Sequence, residues 1–188
     1  MKRIIMIAAA AAFGFTAAAQ APKLAQVNFN ELVQLMPEMD SAREVTDAAS
    51  KDAQETYNAM VEEFQSKYSQ YEQKASTWTD AIRASKEKEL GDIQNRIQEF
   101  QQSIQQELQA QQQQLMAPIY QKAQETVQKL AKEGGYAMVF DSQSALYIDP
   151  AQVVDLTPAA RKALNIAEGR TLETLQAELQ AKAAQAQQ

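Results

Sequence analysis

The chain has 188 residues, of which 34 are Ala and 28 are Gln, while Gly and Pro number only five each. Ala and Gln are favoured in helices, whereas Gly and Pro interrupt them, so the composition predicts a helix-rich protein. The sequence has no Cys, no His and a net charge of −6, which excludes disulfides, Cys/His zinc sites, Cys or His catalysis and a general basic field for nucleic acid.

Residues 1–19 predict a cleavable secretory signal peptide. Lys2 and Arg3 form a charged start, an apolar run covers residues 4–15, and small residues up to Ala19 follow. This order of segments is typical of export signals. The apolar run is shorter than the roughly 20 residues that span a bilayer, which argues against a transmembrane anchor. We therefore expect cleavage after Ala19 and export of the remaining chain.

Residues 20–37 predict the first part of a small body. The segment from Leu24 to Phe29 has the short apolar pattern of a strand. Asn30 then serves as a predicted N-cap for a helix over residues 31–36, and Pro37 ends that helix.

The segment 38–133 predicts a long antiparallel helical hairpin. It contains one Gly and one Pro, and its apolar residues recur every three or four positions, as in a coiled coil. Such an apolar row needs a partner helix, and we place the turn between about residues 76 and 86 near the midpoint. We also expect Pro118 to kink the second leg.

Residues 134–166 predict the second part of the body. Gly134 and Gly135 suit a left-handed helix cap. Residues 136–140 and 145–148 read as two strands of a β-hairpin, and residues 153–156 as a possible third strand or edge segment. Thr157 is the predicted N-cap of a helix that runs to about Ile166, with Pro158 in its first turn.

Residues 167–188 predict a C-terminal helix and tail. The segment 168–170 interrupts the preceding helix, and Thr171 caps a last helix that carries Leu172, Leu175 and Leu179 on one face. We expect the end, from Ala181 onward, to be frayed.

These elements together predict an α+β fold that is mostly α, with the helical hairpin inserted between short strands of a small β-body. A few short strands make too small a core to stand alone. The body is therefore expected to be completed by oligomerisation.

The combination of pieces resembles the Skp/OmpH family of periplasmic chaperones over roughly residues 23–166. The similar strings are residues 24–29, residues 135–141, residues 145–150 and residues 155–158, which flank the long polar helical middle and follow the export signal. None of these strings is catalytic, so the arrangement carries the resemblance.

The resemblance implies a homotrimer whose hairpins project as tentacles around a cavity. Unfolded outer-membrane proteins would be held there without ATP and without a cofactor, in the periplasm. One departure concerns charge, because the best-known members are basic, whereas the segment 38–133 has 11 basic and 17 acidic residues. At most peripheral membrane contact is expected, and basic clients would be favoured over acidic ones.

Two sets of side chains are candidate contact residues. Candidates for client binding on the hairpin are Tyr57, Met60, Phe64, Tyr68, Tyr71, Trp78 and Ile82. Candidates for the oligomeric body are Leu24, Val27, Phe29, Tyr136, Met138, Phe140, Leu146 and Ile148. The alternative for the hairpin set is that these side chains pack the two legs together, as rows at helical spacing commonly do.

Two rival functions remain open on the sequence. A structural coiled-coil scaffold or spacer of the cell envelope would show a continuous row of apolar side chains that pack between the legs and exclude water. An enzyme would need a carboxylate, Lys or Ser site, and Asp141, Asp149 and Asp155 have the character of turn residues. We therefore expect no catalytic residue, no metal site and no enzymatic activity.

Overall fold

The computed structural model describes residues 22–186, so the predicted signal peptide at residues 1–19 lies outside the described residues. The elements run in the order β1 (Leu24–Val27), α1 (Phe29–Leu35), α2 (Pro37–Lys74), a 3-10 turn (Ala75–Thr77), α3 (Asp80–Gly134), β2 (Met138–Asp141), a second 3-10 turn (Ser142–Ser144), β3 (Val153–Asp155), α4 (Thr157–Ala163) and α5 (Leu172–Ala186). The predicted α+β architecture, with a helical hairpin inserted between short strands, is confirmed.

The first strand ends earlier than predicted. The side chain of Asn28 accepts a hydrogen bond from the Glu31 N–H at 3.1 Å. Asn28 is thus the N-cap of α1, and Phe29 begins the helix instead of ending the strand. The predicted cap at Asn30 was wrong because a second Asn two residues earlier already satisfies the free N–H groups of the helix.

The two legs of the hairpin have unequal lengths. With 38 residues in α2 and 55 in α3, they extend about 57 Å and about 83 Å at 1.5 Å per residue. The turn occupies residues 75–79, at the start of the predicted window, and the Thr79 side chain caps α3 by accepting from the Ile82 N–H at 3.4 Å. Pro118 lies inside α3, which continues on both sides of it.

The C-terminus of α3 is closed by two glycines, as predicted. Gly135 has φ 67°, which is the left-handed region. The Gly135 N–H donates to the Lys132 carbonyl at 3.2 Å, and the Tyr136 N–H donates to the Ala131 carbonyl at 3.0 Å. These bonds satisfy carbonyls that the helix end leaves free, and they turn the chain toward β2.

Replacing Gly135 by Ala is expected to lower the free energy of unfolding by about 1 kcal/mol, because a Cβ is disfavoured at positive φ. Replacing Gly91 by Ala is the matched control, since a Cβ there meets no atom within 4 Å and the position is helical. That control should gain up to about 1 kcal/mol. Urea denaturation measures both, and shifts of the same sign would contradict the assignment.

The sheet has three strands in the order β2-β1-β3, and both outer strands run parallel to β1. Leu24 pairs with Met138 on one side and with Val153 on the other. The predicted third strand is confirmed as an edge strand. The predicted β-hairpin was wrong, because residues 145–148 form no strand within the chain and β2 begins only at Met138.

Two Asp side chains explain why residues 145–148 leave the sheet. Asp141 accepts a hydrogen bond from the Gln143 N–H at 3.1 Å and opens the second 3-10 turn, so the chain does not reverse onto β2. Asp149 accepts from the Ala151 N–H at 3.0 Å and directs the chain into β3. The segment between these turns is held away from both edges, and Leu146 is fully exposed.

Helix α4 connects to the β1–α1 junction through Thr157. Its hydroxyl accepts a hydrogen bond from the Asn28 N–H at 2.9 Å, so it does not cap its own helix as predicted. The helix ends at Ala163, earlier than predicted, and Asn165 follows with φ 57°. Asn tolerates this left-handed conformation better than most residues, which explains the early end.

Helix α5 begins as predicted and extends further. The Thr171 side chain accepts from the Thr174 N–H at 3.1 Å, which confirms the predicted cap. The helix continues to Ala186. Leu175 is buried and Leu172 is partly buried, whereas Leu179 is 41% exposed.

The core lies where the base of the hairpin meets the body. Its buried members are Val27, Leu32, Val33, Leu35, Met36, Met39, Ala42, Ile119, Ala123, Val127, Ala160, Leu164, Ile166 and Leu175. Along the hairpin beyond this base, Ile93 is the buried apolar side chain among the described residues. The legs are therefore thinly covered over most of their length.

Candidate functional site

The candidate client-binding row follows α2 and enters α3, and its side chains are only partly covered. Tyr57, Met60, Phe64, Tyr71 and Trp78 are half-buried. Tyr68 is 46% exposed and Ile82 is 45% exposed. The row therefore packs against the opposite leg with one edge and presents the other edge to solvent.

Aromatic rings on the outer half of the hairpin contact one another in two pairs. The rings of Phe64 and Tyr68 stack with centroids 6.0 Å apart. The rings of Tyr71 and Trp78 meet edge to face at 5.9 Å. Both distances lie within the range of favourable aromatic pairs, so these side chains hold defined positions on the hairpin surface.

Polar contacts join the two legs around these rings. Lys67 on α2 contacts Glu89 on α3 across the two legs. Lys86, which lies one turn before Glu89 on the same helix, contacts this carboxylate at 2.7 Å and so orients it. Arg96 donates to Glu63 at 3.1 Å. The Tyr71 hydroxyl donates to Glu87. Together with the pair between Glu38 and Lys122 at the base, these contacts hold the legs in one antiparallel register.

The cross-leg contacts shift the pKa values of their members. Hydrogen bonds from Lys67 and then from Lys86 lower the pKa of Glu89 from 4.5 to about 2. The Glu89 partner raises the pKa of Lys67, and the bond to Glu87 raises the pKa of Tyr71. At the base, the bond from Lys122 lowers the pKa of Glu38. Each shift favours the protonation state that keeps the contact.

We expect the outer hairpin to loosen in acid because of Glu89. Its pKa is depressed in the folded state, so its contribution is present above about pH 4.5 and is lost as the pH falls toward 2. The protection factors of the amides near residues 67 and 89, which are exchange rates corrected for the intrinsic effect of pH, should fall over that interval. In Glu89→Gln the acid dependence should shrink, whereas Glu72→Gln, an exposed position on the first leg, should keep it. Equal profiles in both variants would contradict this role.

The middle of the hairpin has a shallow groove of about 450 Å³ between the legs. It is lined by Ser50, Ala53, Gln54, Tyr57, Gln101, Ile104, Gln105 and Leu108. Small side chains on α2 face the Gln-rich part of α3, so the legs leave a gap there. The sequence signal for this groove is the run of small residues around Ser50, which the predicted contact residues do not include.

A second groove, of about 320 Å³, lies at the base of the hairpin and is mainly apolar. Val45, which is 44% exposed, lines it together with Leu115, Pro118 and Ile119. Pro118 was expected from the sequence only to kink the helix. Its ring also contributes apolar surface to this groove.

The candidate body residues differ widely in exposure. Val27 is buried, and Leu24, Phe29, Tyr136, Phe140 and Ile148 are half-buried. Met138 is 59% exposed, and Leu146 is fully exposed.

A groove of about 410 Å³ runs along β2. It includes five candidate residues: Val27, Phe29, Tyr136, Met138 and Phe140. These five residues are brought together, whereas Leu24, Leu146 and Ile148 do not line the groove.

Carboxylates of the body have structural roles in turns. Asp141 and Asp149 accept local backbone hydrogen bonds, as described above, and Asp155 accepts from the Thr157 N–H at 2.8 Å. Their interpretation as turn residues is confirmed. Within residues 22–186, no cluster of three or more His, Cys, Asp or Glu residues is placed to hold a metal ion. Over the same range, no helix combines the length and apolar character needed to cross a bilayer.

Comparisons with known proteins show which family has this architecture. Residues 23–164 match the family described as Outer membrane protein (OmpH-like). The Chaperone protein Skp of Yersinia enterocolitica is 24% identical over 141 residues, which cover 75% of this chain and 86% of that protein.

A solved structure has a similar fold. The crystal structure of an OmpH-like protein from Caulobacter crescentus superposes with a TM-score of 0.69 at 16% identity, covering 77% of this chain and 85% of that one. Since the family match spans most of the sequence and the folds agree, the chain belongs to the OmpH-like family of outer membrane proteins.

Proposed function

We propose that this protein is an ATP-independent periplasmic holdase chaperone. In this role it binds unfolded outer-membrane protein precursors between the hairpins of a homotrimer and prevents their aggregation. Binding alone prevents aggregation in this proposal, so the activity requires no catalytic group and no cofactor.

The half-covered apolar row of the hairpin carries this proposal. Side chains such as Tyr68 and Ile82 offer apolar contact area on a long projecting support, and they are spread over many turns. Unfolded β-barrel precursors expose apolar segments and unpaired strand edges, which aggregate readily. Many weak contacts spaced along two helices would keep such edges apart and still allow release without nucleotide.

Features of the body support the proposed trimer. The outer edges of β2 and β3 have no strand partner within the described chain, and unpaired edges are sites for pairing with another chain. Met138 on β2 and Val154 on β3 are exposed beside those edges, as is Leu146 in the loop between the strands. Association of copies through these surfaces would enlarge a core that is small for one chain.

The family relationship supports the proposed client class and location. The Yersinia relative is a chaperone, and the family is described as outer membrane protein (OmpH-like). The export signal predicted at residues 1–19 would direct the chain to the periplasm. Unfolded outer-membrane proteins pass through that compartment, so they are the proposed clients.

Light scattering tests the holdase activity directly. An unfolded outer-membrane protein is diluted from urea with and without the mature protein at equal molar trimer, in the absence of ATP. We expect scattering to be suppressed and a soluble complex to form. Sedimentation should give the mass of three chains. Unsuppressed aggregation, or a stable monomer, would contradict the proposal.

A structural scaffold or spacer of the envelope is the second candidate. It is favoured by the cross-leg contacts of Glu89 and Arg96 and by the half-buried state of most of the row. A scaffold predicts no effect on an unfolded client in the same assay. Suppression of aggregation therefore separates the two candidates.

A further inference from the structure

The first leg of the hairpin leaves the body at a very short joint. Helix α1 ends at Leu35, Met36 is extended with ψ 140°, and Pro37 already begins α2. A single extended residue therefore separates a helix of the body from a leg of about 57 Å. A small change in the backbone of such a joint would move the far end of the leg by a large distance.

The C-terminal segment contacts the chain on both sides of this joint. Leu175 of α5 is buried in the core cluster that includes Leu32 and Leu35 of α1. Arg170, in the loop before α5, donates to the Asp40 carboxylate on α2 at 2.5 Å. The segment 167–186 thus bridges the body and the first turn of the leg.

The position of Arg170 is itself fixed. Arg161 of α4 donates to the Ala167 carbonyl at 3.1 Å and to the Arg170 carbonyl, and it pairs with Glu31 of α1 at 2.5 Å. Arg43 donates to the same Asp40 carboxylate oxygen as Arg170 does, at 3.0 Å. Both partners of the Arg170–Asp40 contact are therefore oriented by further bonds.

The partial burial of the Arg170–Asp40 pair indicates that it fixes the relative orientation of the elements more than it contributes to the core. The side chains of Arg170 and Asp40 are 22% and 35% exposed. Ion pairs that are largely covered add little net stability, but they restrict the arrangement of the elements that they join. Beyond Leu175 the side chains of residues 176–185 are exposed, so the buried anchor of α5 is in its first turn. Its next turns line an open groove of about 200 Å³ beside the first leg. The segment also lies after residue 164, where the family match ends.

We propose that residues 167–186 form a brace that fixes the angle between the hairpin and the body. Arg170 is the positioning residue of this brace, and it acts on the leg through Asp40. Leu175 anchors the brace in the body. Release of the brace removes one restraint on the joint at Met36, beside the core packing that remains, and widens the range of hairpin orientations.

The absence of Cys makes a direct measurement possible. Spin labels are attached at Ser66→Cys on the leg and Ala159→Cys on α4, both exposed positions. The assembled protein is diluted with unlabelled chains so that each distance is measured within one chain. Pulsed electron paramagnetic resonance then gives the distribution of distances between leg and body.

We expect a narrow distribution in the parent protein and one about twice as wide in the double variant Arg170→Ala, Leu175→Ala. Gln180→Ala, at an exposed position of α5 outside the groove that α5 forms with the leg, is the control and should leave the width unchanged. The single variant Arg170→Lys keeps the positive charge, so its distance distribution should be nearly as narrow as that of the parent protein. Hydrogen exchange of residues 172–180 reports whether α5 has been released.

Three results would overturn the proposal. The first is an unchanged width in the double variant when α5 exchanges freely. The second is a double variant whose α5 stays protected, since Arg170 and Leu175 would then not hold it. The third is a narrow distribution in a chain truncated after Ile166, which removes the brace entirely.

Discussion

Replacing Leu35 by Ala is expected to lower the free energy of unfolding by about 2–5 kcal/mol. Leu35 has no solvent exposure and lies in the cluster where α1, the hairpin base and α5 meet. The substitution removes methyl groups and leaves a cavity that close-packed neighbours fill only in part. Small domains have total stabilities of about 5–15 kcal/mol, so this loss is a large fraction of the total.

Urea denaturation followed by circular dichroism at 222 nm measures this effect. The protein concentration is held constant, because association would make the transition depend on it. Leu179→Ala is the matched control, since it deletes the same atoms from a side chain that is 41% exposed. Its effect should stay within about 0.5 kcal/mol. Equal losses in both variants would contradict the position of the core.

Removing Tyr68 and Ile82 together, as Ala, is expected to weaken client binding by roughly 5- to 30-fold. These side chains are about half exposed, so their loss should change stability little. A bound client would cover their exposed area, and the lost burial corresponds to about 1–2 kcal/mol in all. This prediction assumes the proposed holdase role.

Fluorescence titration of a labelled, urea-diluted outer-membrane protein gives the apparent dissociation constant. Leu179→Ala again supplies the control, with a similarly exposed apolar side chain that lies on α5 beside the base of the hairpin and not in the client-binding row. Its affinity should equal that of the parent protein. An unchanged affinity in the double variant would show that clients do not contact Tyr68 and Ile82.

The hairpin and its closing cap could be predicted because their signals are local. An apolar residue every three or four positions fixes the helices, and a pair such as Gly134–Gly135 after a long helical segment is typical of a left-handed cap. The strand pairing could not be predicted in the same way. Residues 145–148 have a strand-like composition, but the hydrogen bonds of Asp141 and Asp149 turn them away from the sheet. Such competition between turns and strands is decided by side-chain geometry.

The candidate site could likewise be predicted only in part from the sequence. The spacing of residues 57–78 indicated which side chains form the row, but not how much of each the opposite leg covers. That coverage depends on partners such as Glu87 and Glu89, which come from a distant part of the sequence. The grooves near Ser50 and Pro118 likewise exist only where small or irregular residues on one leg face the other.

The parallel sheet has a consequence for the order of folding. β1 is the central strand and lies near the start of the chain, yet its partners are residues 138–141 and 153–155. A chain that emerges from its N-terminus must therefore be available as far as residue 141 before β1 can pair. The intervening helices form locally and bring the chain ends together, which lowers the entropy lost on closing this long loop. The hairpin should thus form before the sheet, and its formation should determine the rate at which the sheet forms.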